Sequence, residues 1–209
     1  MTEHSLLHLG DPLAPADLST VTNAVGLVVF VHADGGVQTA RHTQSVQLRL
    51  QARSMSTLDL NLLSAEESTQ PERLLDVVLL TDRLTQVVNA LPVDLKRLPL
   101  VFFGSDAGTA AAMRFAAQRP REVTAIASRS GRPDLAADAL GDLRTPTLLI
   151  VGAADTELVE INRQAFTRLR CEKRIDLVPR ATHRFLEAGT LDVAAQLAGD
   201  WFDQHLGTR

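Results

Sequence analysis

Leu100-Val101-Phe102-Phe103-Gly104-Ser105-Asp106-Ala107-Gly108-Thr109-Ala110-Ala111-Ala112 is the stretch on which the rest of the chain turns. Leu100 to Phe103 is apolar without polar alternation, as in a strand covered on both faces. The alanines that follow are strong helix formers, and the helix stops at Gln118, before Pro120. Between strand and helix only Gly104 to Gly108 remain to reverse the chain. Small residues at both ends of that turn leave room for a neighbouring strand and helix to pass close by.

Outward from this unit the pattern repeats. Apolar, β-branched runs at 26–31, 123–127, 146–152 and 174–178, with a weaker one at 55–60, read as strands. Segments 39–53, 72–91 and 158–169 read as helices, the second from apolar steps of three and four closed by Pro92. Thr190 is expected to cap a last helix with Ala194, Leu197, Ala198, Trp201 and Phe202 on one face. Core is the expected place for Trp201 and Phe202, with a homodimer face as the alternative. Strand and helix alternate, so the fold class is α/β: a doubly wound, mostly parallel sheet in three layers. One domain spans 26–209. The Pro-, Asp- and Ser-rich start is expected to be an irregular segment, 1–25, with any leading antiparallel strands missing or reduced.

Composition excludes several classes. The chain has 209 residues, 45% apolar and 22% charged, enough for a full core without metals or disulfides. A formal net charge of −4 argues against nucleic acid as a partner. No apolar run is long enough to span a membrane, and no leader pattern opens the chain, so a cytoplasmic location is expected. A lone cysteine, Cys171, excludes an intrachain disulfide and a thiolate zinc site. No metal or cofactor is implied, and the expected partner is a small-molecule substrate.

In doubly wound sheets, ligands sit beyond the carboxyl ends of the strands. Three chemistry-bearing residues fall there: Asp106 in the turn, Asp155 after the strand at 146–152, and His183 after the strand at 174–178. Nucleophile position, acid, histidine is the chain order of an α/β-hydrolase, and Gly104 to Gly108 has the small-x-nucleophile-x-small form of a nucleophile elbow centred on Asp106. Centring it on Ser105 would put Phe103 where a small residue is needed. Capping is the competing role for Asp106 and Asp155, each of which precedes a helix. His32, which ends a buried strand, reads as structural.

The sequence resembles the dienelactone-hydrolase-like branch of the α/β-hydrolases, and within it small bacterial hydrolases often found beside or fused to phosphoribosyltransferase-like domains. The residues that carry the resemblance are Val28 to His32, Phe103 to Ala112, Ser128-Arg129-Ser130-Gly131-Arg132-Pro133-Asp134-Leu135-Ala136, Pro146 to Gly152, and Ala181-Thr182-His183. It implies an α/β-hydrolase domain, with His183 as base oriented by Asp155 and an oxyanion site at the backbone N–H groups of Ala33 and Ala107. The chain departs from the family in three places. Asp106 replaces a serine, His32-Ala33-Asp34-Gly35 replaces His-Gly-Ser-Gly, and Asn61 stands where the family carries an acid. Asp34 places a negative charge beside the oxyanion position.

A carboxylate is a poor acyl-transfer nucleophile and suits displacement at an alkyl carbon, as in the superfamily's haloalkane dehalogenases and epoxide hydrolases. The chain lacks their further groups: it has no tyrosine, Ala107 follows the nucleophile position, and 128–145 is too short for a cap domain. Two functions follow. One is a hydrolase of an ester, lactone or related bond using Asp106, His183 and Asp155. The alternative is a catalytically degenerate member that binds a ligand or a protein partner.

Overall fold

The computed structural model describes residues 2–8, 10, 13, 15–33 and 37–207, with the side chains of 37–42 outside that description. Its strands are β1 (Thr2–Leu7), β2 (Ala16–Val21), β3 (Gly26–His32), β4 (Met55–Asn61), β5 (Leu100–Ser105), β6 (Ala125–Gly131), β7 (Thr147–Gly152) and β8 (Lys173–Val178). They form one sheet in the order β1-β2-β4-β3-β5-β6-β7-β8. From β4 through β3 to β8 every neighbour is parallel, while β1–β2 and β2–β4 are antiparallel. The helices are α1 (Val37–Gln51), α2 (Pro71–Leu74), α3 (Val77–Ala90), α4 (Val93–Lys96), α5 (Asp106–Gln118), α6 (Thr156–Arg168) and α7 (Thr190–Leu206).

Parity along the strands sorts the core into two layers. Leu27, Val29 and Val31 of β3 share one cluster with Phe102, Ile126 and Leu149, packed under α3, α5 and Ala165 of α6. Val28 and Phe30 share the other with Val101, Phe103 and Ile150, covered by Val46 and Leu50 of α1 and by α7. Trp201 and Phe202 are buried in this second cluster. Only a short 3-10 turn, Pro133–Ala136, interrupts the path from β6 to β7, so no cap domain stands over the sheet.

The N-terminal segment departs from the irregular 1–25 expected. It holds β1 and β2, a hairpin added to the edge of β4. Nearly every residue of β1 is exposed, so it carries none of the in–out alternation that marks a half-buried strand. Its pairing is supplied by backbone groups, which sequence does not display. The 72–91 helix also divides: Leu75 breaks it, and Asp76 starts α3 afresh by accepting a hydrogen bond from the Leu79 N–H at 3.0 Å. At the last helix the cap is Gly189 in the left-handed region (φ 79), not Thr190, whose hydroxyl instead donates to the Glu187 carbonyl at 2.6 Å.

An ion pair between buried Arg83 and half-buried Glu67 braces the loop after β4. The Arg83 guanidinium, 8% exposed, donates to both carboxylate oxygens of Glu67 at 2.6 Å and to the Leu62 carbonyl at 2.8 Å. Those bonds, then one from the Ser64 N–H, hold the Glu67 carboxyl down at about 2. A depressed carboxylate stabilises the fold above its ordinary 4.5 and loses that contribution as pH falls toward about 2. Glu67→Gln leaves Arg83 buried and unpaired and is expected to cost about 3 kcal/mol at neutral pH. Urea unfolding should show that gap closing between pH 4.5 and 2. A gap constant across that window would contradict the account.

Candidate active site

Asp106 sits where β5 gives way to α5. Ser105 is still extended (φ −133, ψ 152), and Asp106 swings to φ 47, the left-handed region. Aspartate tolerates that region better than most side chains, at a cost of roughly 1 kcal/mol. The flanking glycines have their expected reason. A Cβ at Gly104 would stand 2.8 Å from the Thr109 Cα, and one at Gly108 would stand 2.1 Å from the Val31 carbonyl oxygen. The sharp turn is therefore centred on Asp106 and not on Ser105, whose side chain is buried. Ser105, not Asp106, is also the residue before the helix, so Asp106 is not a cap.

His183 reaches the turn from the loop after β8. Its Nε2 lies 2.9 Å from Asp106 Oδ1, and its Nδ1 lies 3.2 Å from Asp155 Oδ2. Asp155 divides its carboxylate between two tasks. Oδ2 faces His183, while Oδ1 accepts from the Leu158 N–H at 3.1 Å and caps α6. Capping and orienting thus coexist in one side chain. The Asp106 and His183 side chains are 49% and 45% exposed and Asp155 only 19%, which leaves the Asp106–His183 contact open to a ligand.

Two fixings of the His183 loop have no motif in the sequence. The Ser130 hydroxyl, at the end of β6, donates to the His183 carbonyl at 2.7 Å. Glu187 accepts from the Thr182 N–H at 3.1 Å and from its hydroxyl at 2.6 Å. Ser130, Arg180 and Phe185 all carry positive φ, so the backbone that presents His183 is held in several uncommon turns.

Of the two backbone groups expected for an oxyanion site, the Ala107 N–H lies in the first turn of α5, where backbone donors have no intrahelical partner. Ala33 is buried at the end of β3, and its carbonyl lies 3.5 Å from the Ser68 hydroxyl. Ser68 belongs to the 3-10 turn that also contains Glu67, so the Arg83 brace supports this side of the site. Asp34 lies outside the described residues. The buried His32 Nε2 is 2.6 Å from Asp59 Oδ1. Asn61 is not that partner, although the register sets it beside His32; its amide oxygen accepts from the Leu63 N–H at 3.2 Å. Asp59 is two residues earlier on the same face of β4.

The hydrogen bond that His183 donates to Asp106 raises its imidazole above the ordinary 6.5, against the opposing effect of burial and with further help from Asp155. Protonated His183 predominates at higher pH than in a free histidine. In an NMR titration the His183 ring protons are expected to move with a midpoint above 6.5, and Asp106→Asn should lower that midpoint. An unchanged midpoint in the Asn variant would remove Asp106 as the cause.

Among the described residues no group of His, Cys, Asp and Glu is arranged to hold a metal ion, and no helix is long and apolar enough to cross a membrane.

No family model matches the chain. A Mycobacterium tuberculosis protein provisionally named a phosphoribosyl transferase is 40% identical over 183 residues, 87% of this chain, which spans only 41% of that relative. The esterase Est1E from Butyrivibrio proteoclasticus superposes with a TM-score of 0.78 at 13% identity over 98% of this chain and 99% of its own, a likeness of fold. The crystal structure of a dienelactone hydrolase from Anabaena variabilis superposes with a TM-score of 0.89 at 35% identity over 99% of both chains. An end-to-end match at that identity, on a sheet and turn of this build, makes the chain a member of the dienelactone hydrolase family of α/β-hydrolases.

Proposed function

We propose that the protein hydrolyses a small ester or lactone, with the Asp106 carboxylate attacking the alkyl carbon of the C–O bond. The observation that carries this reading is His183 held between Asp106 at 2.9 Å and Asp155 at 3.2 Å. In the first step an Asp106 oxygen bonds to the alkyl carbon, the C–O bond breaks, and the substrate's own carboxylate leaves. No proton moves. In the second, neutral His183 takes a proton from water, which attacks Cγ of the Asp106 ester. The resulting oxyanion lies by the Ala107 and Ala33 N–H groups. It collapses with loss of the alkoxide, which takes the proton back from His183. Asp106 is left as its carboxylic acid and gives that proton to water, so ester and water become carboxylate, alcohol and a proton, and the Asp106 carboxylate is restored.

The two steps fit the electrostatics. Free Asp106 is the main reason His183 holds its proton. Once esterified, Asp106 is neutral and that hold is released, so the base becomes available at the step that needs it. Asp155 remains to orient the ring.

β-Butyrolactone tests the proposal, because a carboxylate can open its strained ring at the alkyl carbon. A single turnover in H2-18O should place the label in Asp106, read by mass spectrometry of its peptide. The hydroxy acid should form with inverted configuration. Label found only in the product carboxylate, with configuration retained, would mean direct attack of water at the acyl carbon and would remove Asp106 as nucleophile. A silent wild type with an Asp106→Ser variant active on aryl esters would favour the degenerate, ligand-binding reading.

A further inference from the structure

The end of the sheet opposite Asp106 carries a cavity of about 560 Å³. It lies where β5 begins, beside Pro99, Leu100 and Thr124, between α4 and the end of α5. That volume is within the range of small-molecule pockets. Its floor is apolar: Val88, Leu91 and Leu95 are buried beneath it. Its walls carry four cations, Lys96, Arg97, Arg119 and Arg121, against one carboxylate, Glu122. On a chain of formal net charge −4, this is a local reversal of sign.

The cations are arranged and not merely crowded. Asn89 ties two of them: its carbonyl accepts from Lys96 Nζ at 2.6 Å, and its side-chain oxygen accepts from Arg119 Nη1 at 3.0 Å. The Arg119 guanidinium also lies over the Phe115 ring, 5.1 Å from its centre, and its contacts to Glu122 are long, at 3.3 Å or more. Lys96 and Arg119 therefore have fixed heads with donors to spare. Arg97 pairs loosely with Asp94 at 3.7 Å. Arg121 is exposed and has no hydrogen bond or ion pair among the described residues. Like charges drawn this close repel one another, and a bound anion relieves the repulsion. An apolar floor beneath such a rim selects an anion that has an apolar body.

We propose that this cavity is a binding site for a small organic anion, a phosphate or carboxylate joined to an apolar group, separate from the site at Asp106. The two lie at opposite ends of α5, whose thirteen residues set them roughly 20 Å apart. Neither depends on the other for its residues.

Phenyl phosphate is the probe, with inorganic phosphate, benzyl alcohol and an acidic oligoglutamate peptide for comparison. In amide NMR titrations phenyl phosphate should shift signals around Asn89, Leu98 and Thr124 and leave those around Ala107 and His183 in place. Arg121→Gln, on the surface, and Lys96→Gln should each weaken it about tenfold, and together more. Circular dichroism checks that both variants fold. Three results would overturn the proposal: equal binding of inorganic phosphate, which would make the apolar floor irrelevant; binding of the peptide alone; or phenyl phosphate affinity unchanged in the double variant.

Discussion

Gly108→Ala is expected to destabilise the protein by at least about 3 kcal/mol, a large part of the stability of a typical domain. The added Cβ would stand 2.1 Å from the Val31 carbonyl oxygen and 2.9 Å from the His32 Cα. Both obstacles are backbone in a central strand, so no side chain can turn aside. α5 would have to lift from β3, and its buried face, including Ala110, Ala111 and Phe115, would lose its packing. Gly141→Ala is the control, since a Cβ there meets nothing within 4 Å. It should stay within about 0.5 kcal/mol of the wild type. Urea midpoints decide the matter, and a Gly108 variant as stable as the Gly141 variant would mean that α5 is not seated on β3 as described.

The second large effect concerns turnover. His183→Gln should lower kcat on β-butyrolactone by about 10²–10⁴, the usual contribution of a positioned base. The chemistry predicts where the variant stalls. Attack by Asp106 needs no base, while cleavage of its ester does. Intact-mass spectrometry should therefore find the variant carrying the added mass of one lactone, lost in Asp106→Ala. Absence of the adduct alongside the loss of rate would place His183 in the first step and break the proposed sequence.

The parallel core and the sharp turn were legible because each leaves a local mark. Unbroken apolar runs announce strands covered on both faces, and two glycines four residues apart announce a turn in which backbones pass close. Asp106, Asp155 and His183 could be placed at one edge of the sheet from the strands they follow, and the structure brings them within hydrogen-bond distance. The hairpin of β1 and β2 left no such mark. Its exposed, polar residues match those of a loop, and only pairing with β4 distinguishes them. The apolar signal of β6 ends at Ala127, because Ser128, Arg129 and Ser130 are polar residues buried in a strand. Their burial depends on tertiary hydrogen bonds such as those of Ser128 to Thr109 and of Ser130 to His183. Asp59 leaves no local mark for a related reason: its tie to His32 crosses between strands.

The alanine face of α5 bears on how such a protein can change. Ala107, Ala110, Ala111 and Ala112 are buried in the core layer, where a longer side chain has to displace packed neighbours. Random substitution there is expected to yield mostly unfolded variants. Altered substrate preference in a mutant library should therefore come from the loops beyond β6 and β8, where exposed side chains can lengthen outward. The buried face of the helix that carries Asp106 is closed to variation, and diversity is left to exposed segments elsewhere.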